Sequence, residues 1–172
     1  MENKRILVLG VGNILLQDEG VGVRVVEALE RQYVFSENVE TMDGGTLGLR
    51  LMEAIGACEY LIVVDAVLNG GPPGSQYRLT GDDLRKSLAF KNSLHQVDLV
   101  ETLAYCGLVG NRPECVIVGV EPKEYTAYSD VLTSMIQEKM EHIIREVLKE
   151  VAAAGGTYSP RVPEGPAAVQ EK

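Results

Sequence analysis

Basic charge is scarce in this sequence: 16 Lys and Arg stand against 25 Asp and Glu, a formal charge of −9 over 172 residues. Affinity for a nucleic-acid backbone comes from clustered cations that displace counterions, so no nucleic-acid partner is expected. Long apolar runs are missing as well. No run is long enough to span a bilayer or to form the core of a signal peptide, and "MENKRILVLG" enters strand-like sequence almost at once. No membrane association and a cytoplasmic location are therefore expected. Paired cysteines are the third absence. Cys58, Cys106 and Cys115 form no CxxC or CxxxC pair, which points away from a disulfide framework or structural zinc and toward reduced, buried thiols. Only two histidines occur, His95 and His142.

The residues that are present alternate between two periods. "RILVLG" (5–10), "YLIVVDA" (60–66) and "CVIVGV" (115–120) are unbroken Val, Ile and Leu runs closed by Gly or Asp, as in strands covered on both faces. "NVETMD" (38–43) alternates as a fourth strand, and "SQYRLT" (75–80), entered through "NGGPPG", reads as an antiparallel edge strand. Helical periodicity falls between them at 21–33, 46–56 and 97–107. It returns at 130–151, where Leu132, Ile136, Met140, Ile143, Val147 and Val151 form one stripe. The order predicts an α/β protein: a three-layer α/β/α sandwich around a twisted, mostly parallel five-stranded sheet with one antiparallel edge strand. Residues 1–152 are expected to form one domain, and the Pro- and Gly-rich 153–172 a disordered tail. No internal repeat is found.

Such sheets bind ligands beyond the carboxyl ends of their strands, where the winding reverses. "LGVGNILLQDEGVG" (9–22) lies in one such loop, yet places Asp18 and Glu19 where a phosphate cradle needs backbone amides. The third glycine of a dinucleotide fingerprint is replaced by Leu15. A Rossmann-like nucleotide-binding module, with Asp43 as its ribose acid, is the alternative. Asp18 is read as an N-cap of the following helix. Glu19 is either a first-turn acid complementing the helix dipole or, beside Gly20 and Gly22, a carboxylate free to reach a cation. Asp65 ends "LIVVD", where a charge is costly to bury unless it is paired or ligates metal. His142 sits between Glu138 and Glu146 on a solvated helix face. His95 precedes a helix in a loop and is the imidazole available as a ligand or base. Glu19, Asp65 and His95 together suit a divalent transition ion with open coordination positions. A cysteine nucleophile paired with His95 is a minor reading, because Cys58 and Cys106 fall in helical contexts typical of buried thiols.

"RILVLGVGNILLQDEGVGVRVVEAL", "DGGTLG", "LIVVDAV", "LHQVDLVETL" and "VIVGVEP", in this order, resemble the hydrogenase maturation endopeptidases. These remove a C-terminal extension from the large subunit of nickel-iron hydrogenases. The resemblance reaches to about residue 150. It implies a five-stranded twisted sheet between helices and a metal held by Glu19, Asp65 and His95, which would also be the catalytic set. It further implies that the nickel arrives with the precursor, with Zn or Cd able to replace it in vitro. The implied partner is the large-subunit precursor; the protease itself is expected to be a monomer. After "GVEP" the sequence "KEYTAYSDVLTSMIQ" departs from the Leu-Ser-Pro start that the final helix has in many members. A peptidyl-tRNA hydrolase shares a similar opening strand and GxGN turn, but follows it with a histidine where this chain has Gln17-Asp18-Glu19.

Overall fold

A computed structural model describes residues 3–45, 48–87 and 99–162. Five strands form the main sheet: β1 (Ile6–Gly10), β3 (Val39–Asp43), β4 (Tyr60–Ala66), β5 (Gln76–Leu79) and β6 (Glu114–Val120). Their order is β3-β1-β4-β6-β5. All pairings are parallel except β5 with β6, so the expected sheet and its antiparallel edge are both present. Among the described residues four α-helices accompany it: α1 (Val21–Gln32), α2 (Gly48–Ala57), α3 (Leu99–Leu108) and α4 (Ser134–Ala153).

The unbroken apolar runs have a direct cause. Successive side chains of a strand point to opposite faces. Ile6 and Val8 of β1, with Ile62 and Val64 of β4, therefore join α1 and α4 in one core. Leu7, Leu9, Leu61 and Val63 join Ile55 of α2 and Leu103 of α3 in the other. Both faces are covered, so neither parity can be polar.

The winding reverses between β1 and β4. From β1 the chain passes through α1 on one face to β3. It then crosses back through α2 on the opposite face to β4. The connection leaving β1 runs through α1 on one face and the one leaving β4 runs through α3 on the other, so they diverge at the carboxyl ends of β1 and β4, where sheets of this kind form a crevice.

Two elements differ from the sequence reading. The final helix begins at Ser134 rather than near 130, because the residues before it are engaged by Asp18, as described below. The tail is not disordered over its first part. After α4, Gly155 turns left-handed at φ 95°. The Gly155 and Gly156 amides donate to the Ala152 and Val151 carbonyls, closing the helix in a Schellman motif. The chain then forms β7 (Tyr158–Pro160), antiparallel to β2 (Tyr33–Phe35). The Tyr158 ring stands edge-on to Tyr33 at 5.7 Å, the preferred geometry of an aromatic pair. Residues 163–172 lie outside the described residues.

Candidate functional site

The loop after β1 reaches the crevice through a single 3-10 turn, Gln17–Gly20, which packs against β4 and runs straight into α1. Two glycines make this approach possible. A Cβ on Gly22 would overlap the Val64 and Val11 carbonyls, so the first turn of α1 rests on the ends of both strands. A Cβ on Gly12 would overlap the Glu19 carbonyl, and Gly12 also holds φ 127°, a region L side chains rarely adopt. The glycines of "GVGN…DEGVG" therefore press a carboxylate-bearing turn onto the sheet.

Glu19 is 4% exposed. Burial raises its pKa above the ordinary carboxylate value, since desolvation disfavours the charged form. No hydrogen bond to its carboxylate is formed among the described residues. Asp65 is fully buried at 0% exposure, one residue before the end of β4. By strand parity it shares the face of Leu61 and Val63, where the buried Ser87 hydroxyl donates to its Oδ2. Ser87 is held there by a bridge to Val67 and directly follows the 3-10 turn Gly81–Lys86.

Asp18 does something other than cap its own helix. Neither the 3-10 turn nor α1 has a side-chain cap. The buried Asp18 carboxylate instead accepts the Lys123 and Glu124 amides at 3.0 and 3.1 Å, the Thr133 amide at 2.8 Å and the Thr133 hydroxyl at 2.8 Å. It fastens both ends of the loop between β6 and α4 to the residue next to Glu19.

The sequence reading passed over Glu121, the acid of "GVEP". It is buried just beyond β6, and its carboxylate accepts the Asn69 amide at 3.0 Å. Its backbone carbonyl takes the Gly74 amide, and its own amide donates to Ser75. Lys86 Nζ donates to Asn69 Oδ1 at 2.6 Å, closing that side of the crevice. The signal was available, because Glu121 follows a buried strand just as Asp65 closes one.

The fold thus brings the turn of Glu19 to the end of β4 that carries Asp65. His95 lies outside the described residues, between Ser87 and Leu99. Among the described residues no three His, Cys, Asp or Glu side chains converge on one metal position. His142 is exposed on α4, 4.0 Å from Glu146, as its spacing implied. Asp43 accepts the Gly45 amide at 2.8 Å and shapes its own turn. The Cys58 and Cys115 thiols are pushed up to about 12 by burial, and burial raises Cys106 too, so these sulfurs stay protonated and poorly nucleophilic.

Residues 23–150 match the HycI family model, described as hydrogenase maturation protease. The chain belongs to the hydrogenase maturation protease family. It is 36% identical over 159 residues to the hydrogenase 2 maturation protease of Escherichia coli, covering 91% of this chain and 96% of that protein. It is 41% identical over 152 residues to the hydrogenase expression/formation protein HupD of Thiocapsa roseopersicina, covering 87% of this chain and 69% of HupD. The solved structure of the Escherichia coli hydrogenase maturating endopeptidase HybD superposes with a TM-score of 0.81, at 36% identity over 91% of this chain and 98% of HybD. The protein is accordingly a peptidase. Neither the nucleotide-binding module nor the tRNA hydrolase is favoured by any of these likenesses. Among the described residues no helix is long and apolar enough to cross a membrane.

Proposed function

We propose that this protease removes the C-terminal extension of a nickel-iron hydrogenase large-subunit precursor, and that Glu19, Asp65 and His95 recognise the nickel the precursor carries. The observation that carries this reading is Glu19. A buried carboxylate with a raised pKa and no hydrogen-bond partner among the described residues is unfavourable in isolation. A cation presented by the substrate would supply the missing charge. Two carboxylates and an imidazole suit a divalent transition ion and leave coordination positions for the substrate's own ligands.

Hydrolysis adds water across the scissile C–N bond, with the hydroxyl going to the carbonyl carbon and a proton to the leaving amine. Activation of that water would come from the metal or from a crevice carboxylate that the metal leaves free. Asp65 is held in one orientation by Ser87, so its other oxygen is fixed relative to the crevice.

The test compares nickel-loaded and nickel-free precursor. Incubation should shorten the loaded precursor only, while calorimetry should show weak binding of Ni²⁺, Zn²⁺ or Cd²⁺ by the protease itself. His95→Ala should weaken that binding more than His142→Ala. Equal loss in the two variants, or cleavage that ignores nickel, overturns metal recognition.

A further inference from the structure

Past the end of β1, another segment takes over the edge of β4 that β1 vacates. The Val11 amide donates to the Val64 carbonyl at 3.1 Å, and from there the chain leaves the sheet for the turn that bears Glu19. In an extended strand the backbone polar groups of successive residues point to opposite sides. Val67 donates to the Val120 carbonyl on the β6 side at 2.9 Å, so Leu68 faces the side that β1 has left, where it donates to the Lys86 carbonyl at 3.3 Å. An antiparallel bridge pairs Val67 with Ser87. Residues 86–87 therefore stand in for β1, and this places the Ser87 hydroxyl on Asp65.

One long amide bond and one bridge hold this segment only lightly. Reinforcement comes from the β6 side. The buried Glu121 carboxylate accepts the Asn69 amide at 3.0 Å, and Asn69 Oδ1 accepts a charge-assisted bond from Lys86 Nζ at 2.6 Å. Glu121 is itself fixed through its backbone, its amide donating to the Ser75 carbonyl at 2.9 Å and its carbonyl accepting the Gly74 amide at 2.7 Å. A continuous path thus leads from Glu121 through Asn69 to Lys86, whose chain neighbour Ser87 donates to Asp65.

We infer that Glu121 is a positioning residue: by fixing Asn69, and through it Lys86, it keeps the Ser87 hydroxyl on Asp65, so that this carboxylate meets the precursor's metal in one orientation. The inference rests on the function proposed above. A ligand already oriented by its hydrogen-bond partner loses less freedom when it takes up a cation, which is how groups behind the ligands govern metal affinity.

Calorimetry with Zn²⁺ on the full chain and cleavage of nickel-loaded precursor follow single and double variants. Ser87→Ala and Glu121→Ala should each weaken Zn²⁺ binding, and raise KM for the precursor, about tenfold. Asn69→Ala cuts the same path at a neutral, half-buried side chain and should match Glu121→Ala. The Glu121→Ala/Ser87→Ala variant should lose no more than Ser87→Ala alone, because both substitutions release the same carboxylate. Glu121→Gln, whose side-chain oxygen can still accept the Asn69 amide, should stay within about twofold of the parent. Tyr60→Phe, which removes the hydrogen bond to Glu150 at the amino end of β4, should lower the melting temperature and leave Zn²⁺ affinity and KM unchanged. Losses that multiply in the double variant overturn the inference. So does a Glu121→Gln variant as impaired as Glu121→Ala, since the charge itself would then act. A parent that cleaves precursor without binding Zn²⁺ overturns metal recognition, and the same non-additivity read in kcat/KM then supports the positioning role. A parent that binds Zn²⁺ with the expected non-additivity but never cleaves precursor supports the inference and overturns the processing reaction instead.

Discussion

The two ends of the sheet handle charge in opposite ways. At the amino ends of the strands, acids and bases stay in water: Lys4 pairs with Glu114 at 3.4 Å and Arg5 with Glu59 at 3.8 Å, all largely exposed. At the carboxyl ends the charges go inside. Every buried acid among the described residues, Asp18, Glu19, Asp65 and Glu121, lies there. Exposed pairs are screened and contribute little, whereas buried carboxylates must be satisfied one by one. Asp18 is satisfied by three amides and a hydroxyl, Glu121 by the Asn69 amide, and Asp65 receives the Ser87 hydroxyl. Glu19 is left with a raised pKa. Three of these acids are thus hydrogen-bonded within the fold, and Glu19 accepts no hydrogen bond among the described residues.

Four substitutions sharpen or break this contrast, beginning with the largest effect. Asp65→Asn should abolish precursor cleavage and weaken metal binding while keeping the melting temperature at or above that of the parent. It removes a buried charge without changing shape, and an amide is a poorer ligand than a carboxylate. A stable variant cleaving at the parent rate would return Asp65 to the structural group.

Gly22→Ala should destabilise by about 3 kcal/mol, because its Cβ overlaps two backbone carbonyls that cannot rotate away. Urea unfolding measures this, and a loss near zero would show that the turn does not rest on β4. Asp18→Ala should cost about 2 kcal/mol by releasing the amides of 123, 124 and 133. Faster hydrogen exchange at those three amides is the specific signature. Lys4→Ala should change stability by less than about 1 kcal/mol. If it cost as much as Asp18→Ala, the difference between the two ends would disappear.

The parts of the fold legible in sequence are those whose cause is local. Val, Ile and Leu without alternation reveal strands covered on both faces, and β1, β4 and β6 came out where such runs lie. Asp65 stood out as a charge at the carboxyl end of such a run, and Glu19 as a carboxylate beside glycines in the loop that follows one. Asp18 was misread because its partners are more than a hundred positions away, and a short-range pattern shows an N-cap instead. β2 and β7 are three residues each and partly exposed, too short for periodicity to show, and β7 ends in proline. Glu121 was passed over although it follows a buried strand much as Asp65 closes one.

The long reach of Asp18 also has a consequence for how the protein is born. Closing a contact across 115 residues, from Asp18 to Thr133, costs chain entropy that local helices and neighbouring strands do not incur. On the ribosome, β1, α1 and β4 can be made with no means of fixing the loop that forms one wall of the crevice. That wall becomes available only when Thr133 has emerged, nearly four-fifths of the way through the chain. A nascent chain shorter than this carries Glu19 and Asp65 but not the Thr133 contact that fixes the loop after β6, so this long-range closure comes late in synthesis.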